Sequence, residues 1–249
     1  MSEPWPITWI DEETVSAIAE KAFRNPLKKL EAARNLSSDP TLAISLATFL
    51  NIPPEEVESV LASNASVKSL QNAIGSFHQE VLGSVDGWTT TGTSGGVIDI
   101  LSEKPIAAAG NRTVVAEVKM RYNTIKASDE CHIFDKIDEA VRSRGGSKTC
   151  VGYLIQIVPK TPEPYDREWK VSGRNTKSHV RAIDGTSAYH LVTGDPNALR
   201  DLLHQLPRIL RGVLEKRSGA KLDVATTIPA VYIDSAIDGS LPGHSALDD

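Results

Sequence analysis

The run C-V-G-Y-L-I-Q-I-V-P at 150–159 restricts the fold more than any other stretch of this 249-residue chain. It has the length of a strand and is rich in β-branched and apolar residues, which predicts a central strand buried on both faces. Such a strand needs covering elements above and below it. The chain supplies them in the order helix, strands, helix, strand, so we expect an α/β fold with a mixed sheet flanked by helices.

Two candidate strands precede that run. In T-V-V-A-E-V-K-M at 113–120, Val114, Ala116, Val118 and Met120 alternate with Val115, Glu117 and Lys119, so one face is expected to be buried and the other to carry the Glu and the Lys. In G-V-I-D-I-L at 96–101, Asp99 interrupts residues that would ordinarily fill a strand without a charge. If the two strands pair as a hairpin across 102–112, Asp99, Glu117 and Lys119 converge at one end of a sheet. Two carboxylates can hold a hard divalent cation such as Mg2+, and an ammonium beside them can orient or help deprotonate a water.

From Asp11 to about residue 84 apolar residues recur at helical spacing, with starts at Asp11, Asp39 and Pro53-Pro54 and a stop at Gly83. This predicts a helical N-terminal lobe over 1–66. The remaining 67–249 forms the core, and its first helix, over about 67–84, carries Glu80 towards the Asp99 site. A helix with the stripe Ile133, Phe134, Ile137 and Val141 ends at Gly145-Gly146. Residues 159–186 read as long surface loops, Y-H-L-V-T-G at 189–194 as a short strand, and A-V-Y-I at 230–233 as a final strand. Between those two lies a Leu-rich helix that Pro207 should kink or break. The tail from Ser240 reads as loose.

Net charge is −5, but the charge is unevenly spread: between Lys119 and Arg181 there are 13 Lys and Arg against 8 Asp and Glu, with 14 against 24 elsewhere. A basic segment on an acidic body suits a protein that meets a phosphate backbone with one face. No apolar run reaches the roughly 20 residues of a membrane span, and no secretory pattern opens the chain, so a soluble cytoplasmic protein is expected. Cys131 and Cys150 are expected to be reduced, one in a helix and one in a buried strand.

Asp99 followed by Glu117-x-Lys119 on adjacent strands, after a helix carrying Glu80, resembles the PD-(D/E)XK nuclease superfamily. One departure is Ile98, where that pattern usually has Pro before the first acid. The wording H-Q-E-V-L-G-S, A-E-V-K-M-R-Y-N-T-I-K and R-A-I-D-G-T-S-A-Y-H-L-V-T-G resembles one group within it, the type II restriction endonucleases cutting GGNCC-type sites, over roughly 76–203. The resemblance implies a restriction-endonuclease-like core and Mg2+-dependent hydrolysis of double-stranded DNA by a homodimer. It makes Asp99 and Glu117 the metal ligands, Lys119 the residue at the attacking water, and Glu80 a supporting acid. Arg121, Asn123, Lys126, Arg174, Asn175, Lys177 and Arg181 become candidate DNA contacts, because such donors can read guanine edges or clamp phosphates. A repair or junction-resolving nuclease with the same core, and a DNA-binding protein with a dead site, are the alternatives.

Three other motifs fail on context. G-T-S-G-G at 92–96 lacks the strand-before, helix-after setting of a nucleophile elbow. G-G-S-K-T at 145–149 leads from helix to strand, the reverse of a phosphate loop. His78-x-Glu80 has no paired cysteines downstream to complete a zinc site.

Overall fold

The computed structural model describes residues 4–32, 40–50, 53–91, 98–219 and 228–248. By backbone contacts the chain divides into one unit of 1–19 with 78–249 and a second of 20–77. Helix α1 (Glu12–Ala32) starts where expected, with the Thr14 N–H and hydroxyl donating to the two Asp11 carboxylate oxygens at 2.8 and 2.7 Å. Helix α2 is Pro40–Leu50; its expected start at Asp39 lies outside the described residues. Helix α3 (Pro54–Gly83) is a single 30-residue element, joining two helices expected to be separate, since no Gly or Pro interrupts 55–74. The expected boundary at 66/67 therefore falls inside one helix. Among the described residues no helix is long and apolar enough to cross a membrane.

The larger unit holds a six-stranded sheet of β1 (Trp88–Thr90), β2 (Ile100–Ser102), β3 (Thr113–Arg121), β4 (Cys150–Val158), β5 (Asp166–Glu168) and β6 (Val180–Asp184). Its order is β1-β2-β3-β4-β6-β5. Strands β3, β4 and β6 are parallel to one another; the remaining pairings are antiparallel, including the expected β2–β3 hairpin. The run at 150–159 is thus a central strand. Helix α4 (Ala127–Arg142) covers one face of it, and its predicted stripe packs there: Ile133, Phe134 and Ile137 with Leu154 and Val180, and Val141 with Val115 and Cys150. A Cβ at Gly152 would run into Ile137 and Val141, so glycine lets the helix approach the strand closely. On the opposite face Tyr153 and Ile155 are 1% exposed. Both cysteines are free, Cys131 on α4 and Cys150 on β4.

Several expectations are corrected. Strand β3 is buried from Val114 through Val118, on both faces rather than one, because it sits between β2 and β4 beneath α4. Residues 159–186 are not loops alone but contain β5 and β6. Residues 189–194 belong to helix α5 (Gly185–Thr193), not to a strand. The Asp184 carboxylate accepts from the Ser187 N–H (3.0 Å) and hydroxyl (2.6 Å), which starts the helix, and Gly194 at φ 76° closes it. Residues 230–233 likewise open a helix, α7 (Ala230–Asp238). It follows Pro229, and its Asp234 and Asp238 both receive Arg200 of helix α6 (Ala198–Ser218) at 2.6 and 2.8 Å. Helix α6 runs through Pro207 without a break.

The tail is not loose. Leu241 and Ser245 are buried, the Thr186 hydroxyl donates to the Pro242 carbonyl, and the Ala246 N–H donates to the Ser187 hydroxyl at 2.8 Å.

Candidate functional site

The β2–β3 ladder stops at Ile100↔Ala116, one residue short of Asp99. From there the aspartate replaces backbone pairing. Its own N–H still donates to the Ala116 carbonyl (3.0 Å), and its Oδ2 accepts the Val118 N–H at 2.7 Å. An acid inside an apolar run is thereby accounted for locally. The same anchoring holds its carboxylate beside Glu117.

Glu117 lies in the middle of β3 and is 5% exposed. A buried carboxylate needs partners, and it has two: Lys119 Nζ donates to Oε1 at 2.7 Å, and Lys136 Nζ donates to Oε2 at 2.8 Å. Lys119 shares its strand face by the two-residue repeat. Lys136 arrives from α4, a residue that the motif reading did not include. Its signal in the sequence is a lysine placed three residues after Ile133 and four before Ala140, on the rim of the helix's buried stripe.

The two carboxylates act on each other. Burial first, and the Glu117 charge second, push the Asp99 carboxyl above its usual range, while the Val118 N–H, Lys119 and Lys136 pull the other way. Two crowded anions flanked by two ammoniums form a site of hard oxygen donors. Among the described residues no cluster of three or more His, Cys, Asp or Glu is placed to hold a metal. Two carboxylates suffice for a cation that keeps several waters and takes further ligands from phosphate.

The other candidates are dispersed. Glu80 is half-buried on α3 in the larger unit, and the charges that act most on Asp99 are Glu117, Lys119 and Lys136. Arg121, Asn123 and Lys126 are exposed between the end of β3 and the start of α4. Arg174 forms a two-pronged pair with Asp135 (2.7 and 2.6 Å), exposed on both sides. Lys177 donates to Asp138 at 2.7 Å, a buried carboxylate that also receives His179 and Arg142. Arg181 donates to Asp166 at 2.6 Å, and Tyr153 donates to the same carboxylate. Arg181 is the β6 partner of Tyr153, itself the β4 partner of Ala116. It therefore projects from the sheet face opposite Glu117. Asn175 is exposed. His78, considered above as a zinc-type ligand, is buried with Nδ1 2.7 Å from the Tyr189 hydroxyl.

The family model described as Eco47II restriction endonuclease matches residues 10–215. The type II restriction enzyme Eco47II of Escherichia coli is 31% identical over 224 residues, covering 86% of this chain and 90% of that protein. The type II restriction enzyme Sau96I of Staphylococcus aureus is 23% identical over 163 residues, 62% of this chain and 58% of that protein. With a mixed six-stranded sheet carrying the acid pair and its lysines, the chain belongs to the Eco47II restriction endonuclease family, the type II site-specific hydrolases of double-stranded DNA.

Proposed function

We propose that this protein is a Mg2+-dependent restriction endonuclease that cuts a GGNCC-like site as a homodimer, with Asp99 and Glu117 as the metal ligands. The observation that carries the reading is the approach of half-buried Asp99 to buried Glu117, with Lys119 held 2.7 Å from the latter. Mg2+ bound there would polarise the scissile phosphate and lower the pKa of a bound water. Each Glu117 oxygen takes one lysine and retains a second lone pair for a cation. Lys119 Nζ, an ammonium held by Glu117, would position the attacking water by hydrogen bonding. Lys136 keeps Glu117 in its rotamer from the other side, and Glu80 supports the site from α3.

Arg121 ends β3, Asn123 and Lys126 follow it, and the three would meet the DNA nearest the cut. Arg174, Asn175 and Lys177 are the candidates for more distant contacts, and the two cations among them would exchange Asp135 or Asp138 for DNA; Arg181, on the opposite sheet face, stays with Asp166. A target that is symmetric on both strands is matched by a two-fold dimer.

Phage DNA incubated with the protein and Mg2+, with a chelated control, tests the reading. Discrete fragments whose sequenced ends share a GGNCC-like site are expected. A smear means cutting without sequence choice, and intact DNA with Mg2+ present overturns the reading.

A further inference from the structure

A cleft of about 630 Å³ opens one strand over from Lys119, on the sheet face that carries Glu117 and Lys119. The register fixes this placement. Gln156, in its wall, is the β4 partner of Lys119, and Ala182, in its floor, is the β6 partner of Leu154, which in turn pairs with Glu117. Neighbouring strands lie about 4.8 Å apart, so the cleft begins one strand from the candidate catalytic lysine. It runs out to β5, the edge strand.

Its lining is basic. Lys160, Arg167 and Lys170 line it, with Glu168 as the one carboxylate among the lining residues. No ion pair engages Lys160, Arg167 or Lys170 among the described residues, whereas Arg174, Lys177 and Arg181 each hold an aspartate. Three cations without an ion pair thus gather in one concavity of an acidic protein. Arg167 is also held in position: its guanidinium lies 4.7 Å over the Tyr165 ring, and the Tyr165 hydroxyl donates to Gln156 Oε1 at 2.6 Å. The chain Gln156–Tyr165–Arg167 thus ties a guanidinium to the strand beside Lys119. A fixed guanidinium next to mobile ammoniums matches phosphate oxygens.

We propose that this cleft holds the sugar-phosphate backbone of duplex DNA next to the scissile position, with Arg167 and Lys170 as phosphate contacts. The proposal rests on the endonuclease reading and adds the path of the strand. It also adds the wall formed by β5 and its flanks to the residues that would meet the DNA backbone.

The test is fluorescence anisotropy with metal chelated, comparing wild type with the Arg167→Gln, Lys170→Gln double variant. The probes are a random-sequence 30-base-pair duplex and one bearing the protein's own cleavage site. Two lost phosphate contacts make the slope of log K against log[salt] shallower by about 1.8, so between 50 and 200 mM salt the variant loses about twelvefold less affinity than wild type. Both duplexes should weaken alike, with the melting temperature unchanged because both side chains are exposed. Arg167→Lys, which keeps the charge, should retain most of the slope. If wild type binds and cuts DNA while the double variant keeps its affinity and slope, the cleft is off the DNA path and the endonuclease reading stands. Weakening on the cognate duplex alone also overturns the proposal, since it marks base reading. A wild type that binds no duplex removes both readings together.

Discussion

Replacing Glu117 and Asp99 by their amides should stop cleavage in both cases, while stability should fall for Glu117→Gln and hold or rise for Asp99→Asn. Glu117→Gln keeps the shape of a buried side chain and removes the charge that two ammoniums share at 2.7 and 2.8 Å. The amide can accept from only one of them and turns its NH2 towards the other. Hydrogen bonds to charged groups contribute about 1.5–3 kcal/mol each. The lysine side chains are 27% and 23% exposed, so their long stems can carry the ammoniums to water, which favours the lower end. Relief of the Asp99–Glu117 repulsion offsets a further part. The net expectation is a loss of about 2–3 kcal/mol.

Asp99→Asn differs. The amide oxygen still accepts the Val118 N–H, while the charge that burial and Glu117 disfavour is gone. Stability should hold or rise. Urea unfolding followed by tryptophan fluorescence, using the chain's four Trp residues, gives both numbers without metal, and digestion of phage DNA with Mg2+ gives activity. A Glu117→Gln protein within about 0.5 kcal/mol of wild type would refute the double ion pair. An equal loss in both variants would mean that the two carboxylates serve the fold in the same way.

Lys119→Arg preserves charge but not shape or the capacity to release a proton, so cleavage should fall about a hundredfold at unchanged DNA affinity; near-normal single-turnover rates would demote Lys119 to a surface charge. Arg174 and Arg181 should behave differently. The Arg174–Asp135 pair is exposed and weak, so that arginine can be given up to a guanine edge. Arg174→Ala should then cost about 1–3 kcal/mol on the cognate duplex only. Arg181 is committed to a half-buried network on the far face, and Arg181→Ala should lower stability by about 1–2 kcal/mol while leaving the cognate-to-random ratio intact; a tenfold drop in that ratio would return it to the recognition surface. Burial lowers the His78 pKa from 6.5 to about 4, so the unfolded chain takes up the proton first as pH falls. Stability present above about pH 6.5 should be lost towards pH 4, by about 3 kcal/mol. An NMR titration showing the folded His78 protonating near 6.5 would contradict this.

What could be read from the sequence was what local patterning determines. The β4 run, the α4 stripe closed by Gly145-Gly146, the Asp11 start and the odd acid at Asp99 all depend on residues close in the chain, and all reappear in the structure. The short apolar stretches at 189–194 and 230–233 failed because a few apolar residues fit either period; Asp184 with Ser187, and Arg200 with Asp234 and Asp238, decide for helix through contacts that strand composition does not reveal. The site divides along the same line. Asp99, Glu117 and Lys119 lie on one hairpin, so spacing alone brought them together. The Lys136 that completes the charge balance spans 19 residues and depends on α4 lying over β3. The cations of the cleft depend on β6 lying between β4 and β5. Acids placed by a hairpin, and Lys119 with them, are therefore visible to a motif, whereas Lys136 is placed by a helix packing over the sheet and the cations of the cleft by sheet order.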